Sequence, residues 1–173
     1  VWSEESEGTN GIGTCLAERR ALTIHRDQHY FSRNTLLSCT TVPIYDHDGD
    51  LAAALDVSSC RADLTEGFSN LIAIAAGDAA RRIEAETFRL AFPNARVLLA
   101  PTPDNSPAAL VAVDADDLVI GASRSARIAL DLTPERLSKP IPASDLLGYP
   151  SRGRTELHEA ERAALQRTLA RAG

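Results

Sequence analysis

Two histidines four residues apart, His25 and His29, flank Asp27, and Cys39 follows a short way downstream. Imidazole, carboxylate and thiolate are the groups that ligate transition metals, and on a helix an i, i+4 pair shares one face. The pattern stops short of a ligand set. His25 closes the β-type run ALTI (21–24), so helical geometry does not span both rings, and no further Cys or carboxylate completes the spacing. The expectation is no metal and no cofactor, with His25 or His29 bonding a small ligand or bracing a loop. Cys15, Cys39 and Cys60 lack C-x-x-C spacing. An odd count with no secretory leader fits reduced cytosolic thiols rather than a disulfide framework.

Other chemistry-bearing patterns are equally partial. Gly8-Thr-Asn-Gly11-Ile-Gly13 opens a helix, where free backbone N–H groups and the positive dipole end could seat an anion. The spacing is not G-x-G-x-x-G and no strand clearly precedes it, so glycines packing tightly against a sheet are the favoured reading. Ser, His and Asp all occur, but the nucleophile elbow G-x-S-x-G does not. Asp46/Asp48 and Asp116/Asp117 fall at turn signals and read as solvated. No G-x-x-x-x-G-K-[ST] phosphate loop is present. The chain is expected not to be an enzyme.

The elements that must position these residues follow from periodicity. The glycine cluster leads into a helix through Leu16-Ala17-Glu18, ALTI makes a strand, and 29–37 reads as a short helix. Cys39 to Tyr45 and Leu51 to Ser58 flank an Asp-Gly turn, the strongest hairpin signal in the chain. Leu51, Ala53, Leu55 and Val57 alternate with Ala52, Ala54, Asp56 and Ser58, predicting one buried face and one that could line a cavity. Pro43 implies a bulge or an edge. The spacing predicts a half-sheet with helices on one face.

Asp63 and Glu66 have capping-box spacing ahead of a helix to about Phe92, with an apolar stripe at Phe68, Leu71, Ile72, Ala75, Ala79, Ile83 and Leu90. PTPDNSP (101–107) reads as a linker. A second hairpin follows around Asp114 to Asp117, then helices starting at Ser123 and Thr133-Pro134, and a terminal helix over 155–172.

The ordered series E-x-S-x-GTNGIGT-x-LAE, then His25, His29 and Asn34, then C-x-x-x-PI-x-D-x-x-G and LDVS, resembles the sensory GAF domain of acetoin-catabolism-type bacterial transcriptional activators. The stretch 109–123 resembles the opening of a PAS domain, and 155–172 the first helix of a Fis-type helix-turn-helix domain. The fold class so implied is α+β: a GAF-like antiparallel sheet with flanking helices (1–62, N-terminally incomplete), a long connecting helix (63–92), a partial PAS-like unit (93–150), and a linker with the terminal helix (151–173). The resemblance implies a regulatory region that responds to a small-molecule effector or a partner protein. DNA would be read by a helix-turn-helix outside this chain. Asn10, His29, Cys39 and Asp56 are the candidate ligand-binding residues, between the sheet face and the segment around Asn34. The alternative is a GAF-fold thiol enzyme or redox sensor of the free methionine sulfoxide reductase type, which needs a low-pKa thiolate beside a resolving thiol.

Composition sets outer bounds. At 173 residues and 44% hydrophobic, the chain can bury a real core, and with only 5% aromatic residues that core is aliphatic. No apolar run approaches the roughly 18 to 20 residues of a membrane span. The cytoplasm is the expected location. The chain begins at Val1 and holds no Met, which reads as a portion of something longer. Residues 151–173 carry five Arg against three Glu, while the preceding 150 carry net −8. An acidic body of this kind is no nucleic-acid surface. The two apolar helix stripes predict a homodimer, the commonest oligomeric solution.

Overall fold

A computed structural model describes residues 2–61, 63–102 and 109–148. The expected terminal helix over 155–172, with its helix-turn-helix resemblance, and most of the 101–107 linker lie outside these residues. The described elements are α1 (Glu4–Glu7), α2 (Gly11–Glu18), β1 (Leu22–His25), 3-10 turns at Arg26–Gln28 and Ser32–Asn34, β2 (Ser38–Tyr45) and β3 (Leu51–Ser59). Then come α3 (Glu66–Ala91), β4 (Arg96–Leu99), β5 (Leu110–Val113), β6 (Val119–Ala122), α4 (Arg124–Ala129), α5 (Pro134–Leu137) and α6 (Ala143–Leu147). They form two three-stranded antiparallel sheets, ordered β1-β2-β3 and β4-β5-β6.

In the first sheet β2 is central, so nearly all its residues are buried. Its pairing with β3 sets Cys39 opposite Ser58, Thr41 opposite Asp56 and Val42 opposite Leu55. The Asp46–Asp50 turn closes the hairpin as expected. Gly49 takes φ +82°, and the Asp46 carboxylate accepts from the amides of Asp48 and Asp50. Pro43 sits in the central strand, yet β1 pairs only as far as Thr41, and the register shifts between Ile44 and Tyr45. The missing N–H is thereby tolerated.

Two local expectations are corrected. The 29–37 stretch is not one helix. His29 closes the preceding 3-10 turn Arg26–Gln28 through its N–H to Arg26 O, and within the stretch there is only the 3-10 turn Ser32–Asn34, with Asn34 N–H bonded to Phe31 O. Asp63 does not cap the long helix. It pairs with Arg61, whose guanidinium bonds draw its carboxyl down to about 2, and Thr65 is the cap, accepting from Phe68 N–H.

Helices flank the first sheet on both faces rather than one. Helix α2 lies against the Cys39–Thr41–Asp56 face, while α3 covers the Val42–Leu55 face through Ala76 and Ala80. The apolar stripe read from spacing is the outer face of α3: Phe68, Leu71, Ile83 and Leu90 are exposed. Alanines line the seam because a small side chain lets a helix axis approach a sheet closely.

The C-terminal part of α3 serves the second sheet. Phe88 and Phe92 pack with Leu110 and Ala112 on one face of β4-β5-β6. The other face, with Val111, Val113 and Ala122, is covered by α4 and the segment carrying Leu132, Ile141 and Ala143. The second hairpin, the Ser123 cap and the Thr133-Pro134 start are seen; β4 and α6 had no counterpart in the sequence reading.

The two halves also meet at the tip of the first hairpin. Glu84 of α3 accepts from Tyr45 N–H at 2.9 Å, and the Arg124 guanidinium lies 4.2 Å above the Tyr45 ring. Burial pushes the Glu84 carboxyl up, outweighing the Tyr45 hydrogen bond and the nearby Arg124 and Arg81. A raised carboxyl favours its protonated form in the folded state, so its stabilising effect is complete at low pH and is lost as pH rises through the raised value. Glu84→Gln keeps the acceptor and removes the charge. Its urea midpoint is expected to exceed that of the parent at pH 8, with the gap closing towards about pH 4. A gap that widens on acidification would contradict this.

Candidate functional site

A cavity of about 50 Å³ opens between α2, the Cys39–Asp56 face of the first sheet and the loop carrying the two 3-10 turns. A single water needs about 10–15 Å³, so the space suits a handful of non-hydrogen atoms. Its wall includes Asn10, His29, Cys39 and Asp56, the four residues singled out in the sequence, together with Trp2, Asn34 and Ser58. His25 is not among them; its Nδ1 shares a hydrogen bond with the Ser38 hydroxyl at the rim strand.

The four differ in how their polar atoms are employed. Asn10 is the N-cap of α2: its carbonyl oxygen accepts from Gly13 N–H at 2.9 Å and its amide donates to Gly8 O at 2.8 Å. Cys39 Sγ lies 3.3 Å from the Ser58 hydroxyl. Asp56 accepts from the Thr41 and Ser58 hydroxyls, one on each oxygen, which leaves lone pairs on both. His29 is 4% exposed, and Nδ1 lies 2.9 Å from Arg26 O, so Nδ1 carries the proton. Its Nε2 has no partner among the described residues. Asn34, 8% exposed, makes no side-chain hydrogen bond there either, and its free amide was not among the four. The available signal was its place at the end of the His25, His29, Asn34 series.

The glycines resolve as packing positions. A Cβ on Gly11 would lie 2.6 Å from Thr41 Oγ1, 2.8 Å from Cys39 Cβ and 3.1 Å from Asp56 Oδ1. One on Gly13 would strike Trp2 O at 2.6 Å. With the Asp56 carboxylate already against the first turn of α2, a bound anion there would meet like charge. Among the described residues, no three His, Cys, Asp or Glu side chains group as metal ligands, and no helix is long and apolar enough to cross a membrane.

Residues 1–83, the unit that holds the cavity, match the family model described as GAF domain. The unit carrying the cavity is a GAF domain. The chain is 32% identical over 134 residues to the "Acetoin catabolism regulatory protein" of Cupriavidus necator, covering 75% of this chain and 20% of that relative. It is 39% identical over 57 residues to the "Acetoin dehydrogenase operon transcriptional activator AcoR" of Bacillus subtilis, covering 33% of this chain and 9% of that one. The "Signal-transduction and transcriptional-control protein" of Clostridium beijerinckii matches at 36% over 59 residues, again 9% of its length. The chain thus spans a fifth or less of each of these relatives, all named as regulators rather than enzymes. A solved Escherichia coli DhaR(N)-DhaL complex is similar over 94% of this chain and 54% of that one, at TM-score 0.40 and 17% identity, too distantly to bear on function.

Thiol chemistry in this GAF domain is muted. Burial pushes both Cys15 and Cys39 up, and the Asp56 charge adds to the rise in each; for Cys39 the Ser58 hydrogen bond only partly opposes it. A thiol raised in this way is a poor nucleophile at neutral pH. Cys60 is exposed. Ellman's reagent is expected to titrate one thiol quickly in the native protein, with Cys15 and Cys39 reacting only on unfolding. Two fast thiols would refute that ordering.

Proposed function

We propose that this chain is the ligand-sensing regulatory region of a bacterial transcriptional regulator, working in the cytoplasm without catalysis of its own. The observation that carries the reading is the GAF-domain cavity, whose wall keeps unspent hydrogen-bonding atoms on His29, Asn34 and Asp56. Homology to regulators of acetoin catabolism supports it and makes acetoin the first effector to try. Asn10, His29, Cys39 and Asp56 are the proposed contacts, Asn10 mainly by shaping the wall. The unit 93–150 is read as PAS-like, and DNA contact is assigned to a Fis-type helix-turn-helix beyond the described residues. A partner protein is the other form the signal could take.

A ligand that binds only the native state raises its stability by mass action, about 2.7 kcal/mol at a hundred times Kd. Thermal-shift screening of small metabolites is therefore expected to find a compound that raises Tm. The same compound should change transcription from a promoter controlled by the intact regulator. A metabolite collection that leaves Tm unmoved, with a partner protein that raises it, would reassign the domain to protein sensing.

The rival reading, a thiol reductase or redox sensor, is disfavoured by the raised Cys15 and Cys39. A reversible Cys39–Cys60 disulfide after peroxide treatment, seen by mass spectrometry, would restore it. The exposed stripe on α3 (Phe68, Leu71, Ile83) supports a homodimer. Sedimentation equilibrium should return twice the chain mass; a monomer at micromolar concentration would remove the dimer.

A further inference from the structure

The unsatisfied atoms of the cavity restrict what can fill it. Arg26 O can only accept, so the 2.9 Å contact places a proton on His29 Nδ1, and in the neutral imidazole Nε2 is then a lone-pair acceptor. That atom is buried without a partner. Leaving such a group unpaired costs about 1–3 kcal/mol, and a ligand that supplies a donor recovers much of it. A ketone oxygen placed there would set one lone pair against another. The Asn34 side-chain amide, also in the wall, offers both a donor and an acceptor.

Charge narrows the class further. The wall contains the Asp56 carboxylate and no Lys or Arg. Asp56 receives only hydroxyl bonds, from Thr41 and Ser58, so no cation offsets it through those contacts. A carboxylate or phosphate ligand would be desolvated beside a like charge in a space of about 50 Å³.

We propose that this cavity is a site for a small uncharged molecule bearing a hydroxyl, and that His29 Nε2 is the specificity-determining acceptor that selects hydroxyl over carbonyl. The inference rests on the sensing role argued above and adds to it a discrimination between oxidation states: a hydroxyketone or diol is held, and the diketone of the same carbon skeleton is not. Asn34 takes the remaining oxygen by donating to it, and Asp56 turns acids away.

Calorimetric titration of the full 173-residue chain with acetoin, 2,3-butanediol, diacetyl and lactate tests this. Acetoin and the diol are expected to bind, diacetyl about ten- to a hundredfold more weakly, and lactate not measurably. His29→Leu should remove the preference, bringing acetoin down to the diacetyl level. His29→Gln, which offers an amide oxygen, should recover part of it. Native circular dichroism and an unchanged reactivity of Cys60 would show that the variants remain folded, and Asn34→Ala, which leaves His29 in place, should weaken all neutral probes while keeping their order. Diacetyl or lactate binding as well as acetoin would overturn the hydroxyl selection while leaving a sensing cavity. Failure of all four probes to bind would overturn this assignment of the cavity, while the sensing role itself is decided by the metabolite and partner-protein screen described above.

Discussion

Phe88→Ala is expected to destabilise the protein by about 3–5 kcal/mol, the usual cost of removing a fully buried aromatic ring. Phe88 is 1% exposed and lies between α3 and the second sheet, its ring 4.9 Å from that of Phe92 and in one cluster with Leu110 and Ala112. Little nearby can collapse into the void, because Ala112 and Ala85 are short and Leu110 is itself held in β5. Domains are typically stable by only about 5–15 kcal/mol, so the loss is a large share of the whole. Urea denaturation followed by far-ultraviolet circular dichroism should show the midpoint fall sharply. A loss below about 1 kcal/mol would mean that α3 does not hold the second sheet as described.

Gly11→Ala should damage both stability and effector binding. The added methyl meets Thr41, Cys39 and Asp56 at 2.6 to 3.1 Å, and two of these contacts are with atoms fixed close to the sheet backbone. Overpacking of this kind costs about 1–3 kcal/mol, more than the gain of up to about 1 kcal/mol in helix propensity. Helix α2 must then lift from the sheet, and the cavity wall shifts with it. Gly67→Ala supplies the contrast, since nothing lies within 4 Å of a Cβ there and Gly67 is in the first turn of α3. That change is expected to stabilise by about 0.5–1 kcal/mol. Paired melting curves decide the matter: equal shifts for the two alanines would show that α2 does not press on the sheet.

How much of this was legible depends on whether the determinant was local. The first hairpin could be read because an Asp-Gly turn between alternating strands needs no distant partner, and its register then brought Cys39 and Asp56 to one face. The start of α2 in the glycine cluster could be read in the same way, though not its Asn10 cap. The inner face of α3 could not. Helical spacing selects large apolar residues, whereas the sheet is met by Ala76 and Ala80, whose merit is small size against a surface the sequence does not display. The 29–37 stretch has helix-like spacing, but bonds three residues back turn it into short coils instead. Strand β4 escaped because Arg96–Leu99 shows no alternation, with only the adjacent Val97 and Leu98 half-buried, and becomes a strand only by pairing with β5. At the site, the positions of Asn10, His29, Cys39 and Asp56 followed from motif order. The idle Nε2 of His29 depends on a carbonyl three residues away and on burial, and neither is written in the residue types.

Helix α3 closes one sheet with its first half and the other with its second, so the two sheets share a single structural wall. Their unfolding is therefore cooperative: neither can open without stripping cover from the other. Free energy supplied at the cavity is then distributed over both halves. Hydrogen exchange makes this visible, since a compound bound beside β2 should slow the amides of β5, which it never touches, by a factor close to that seen in β2 itself.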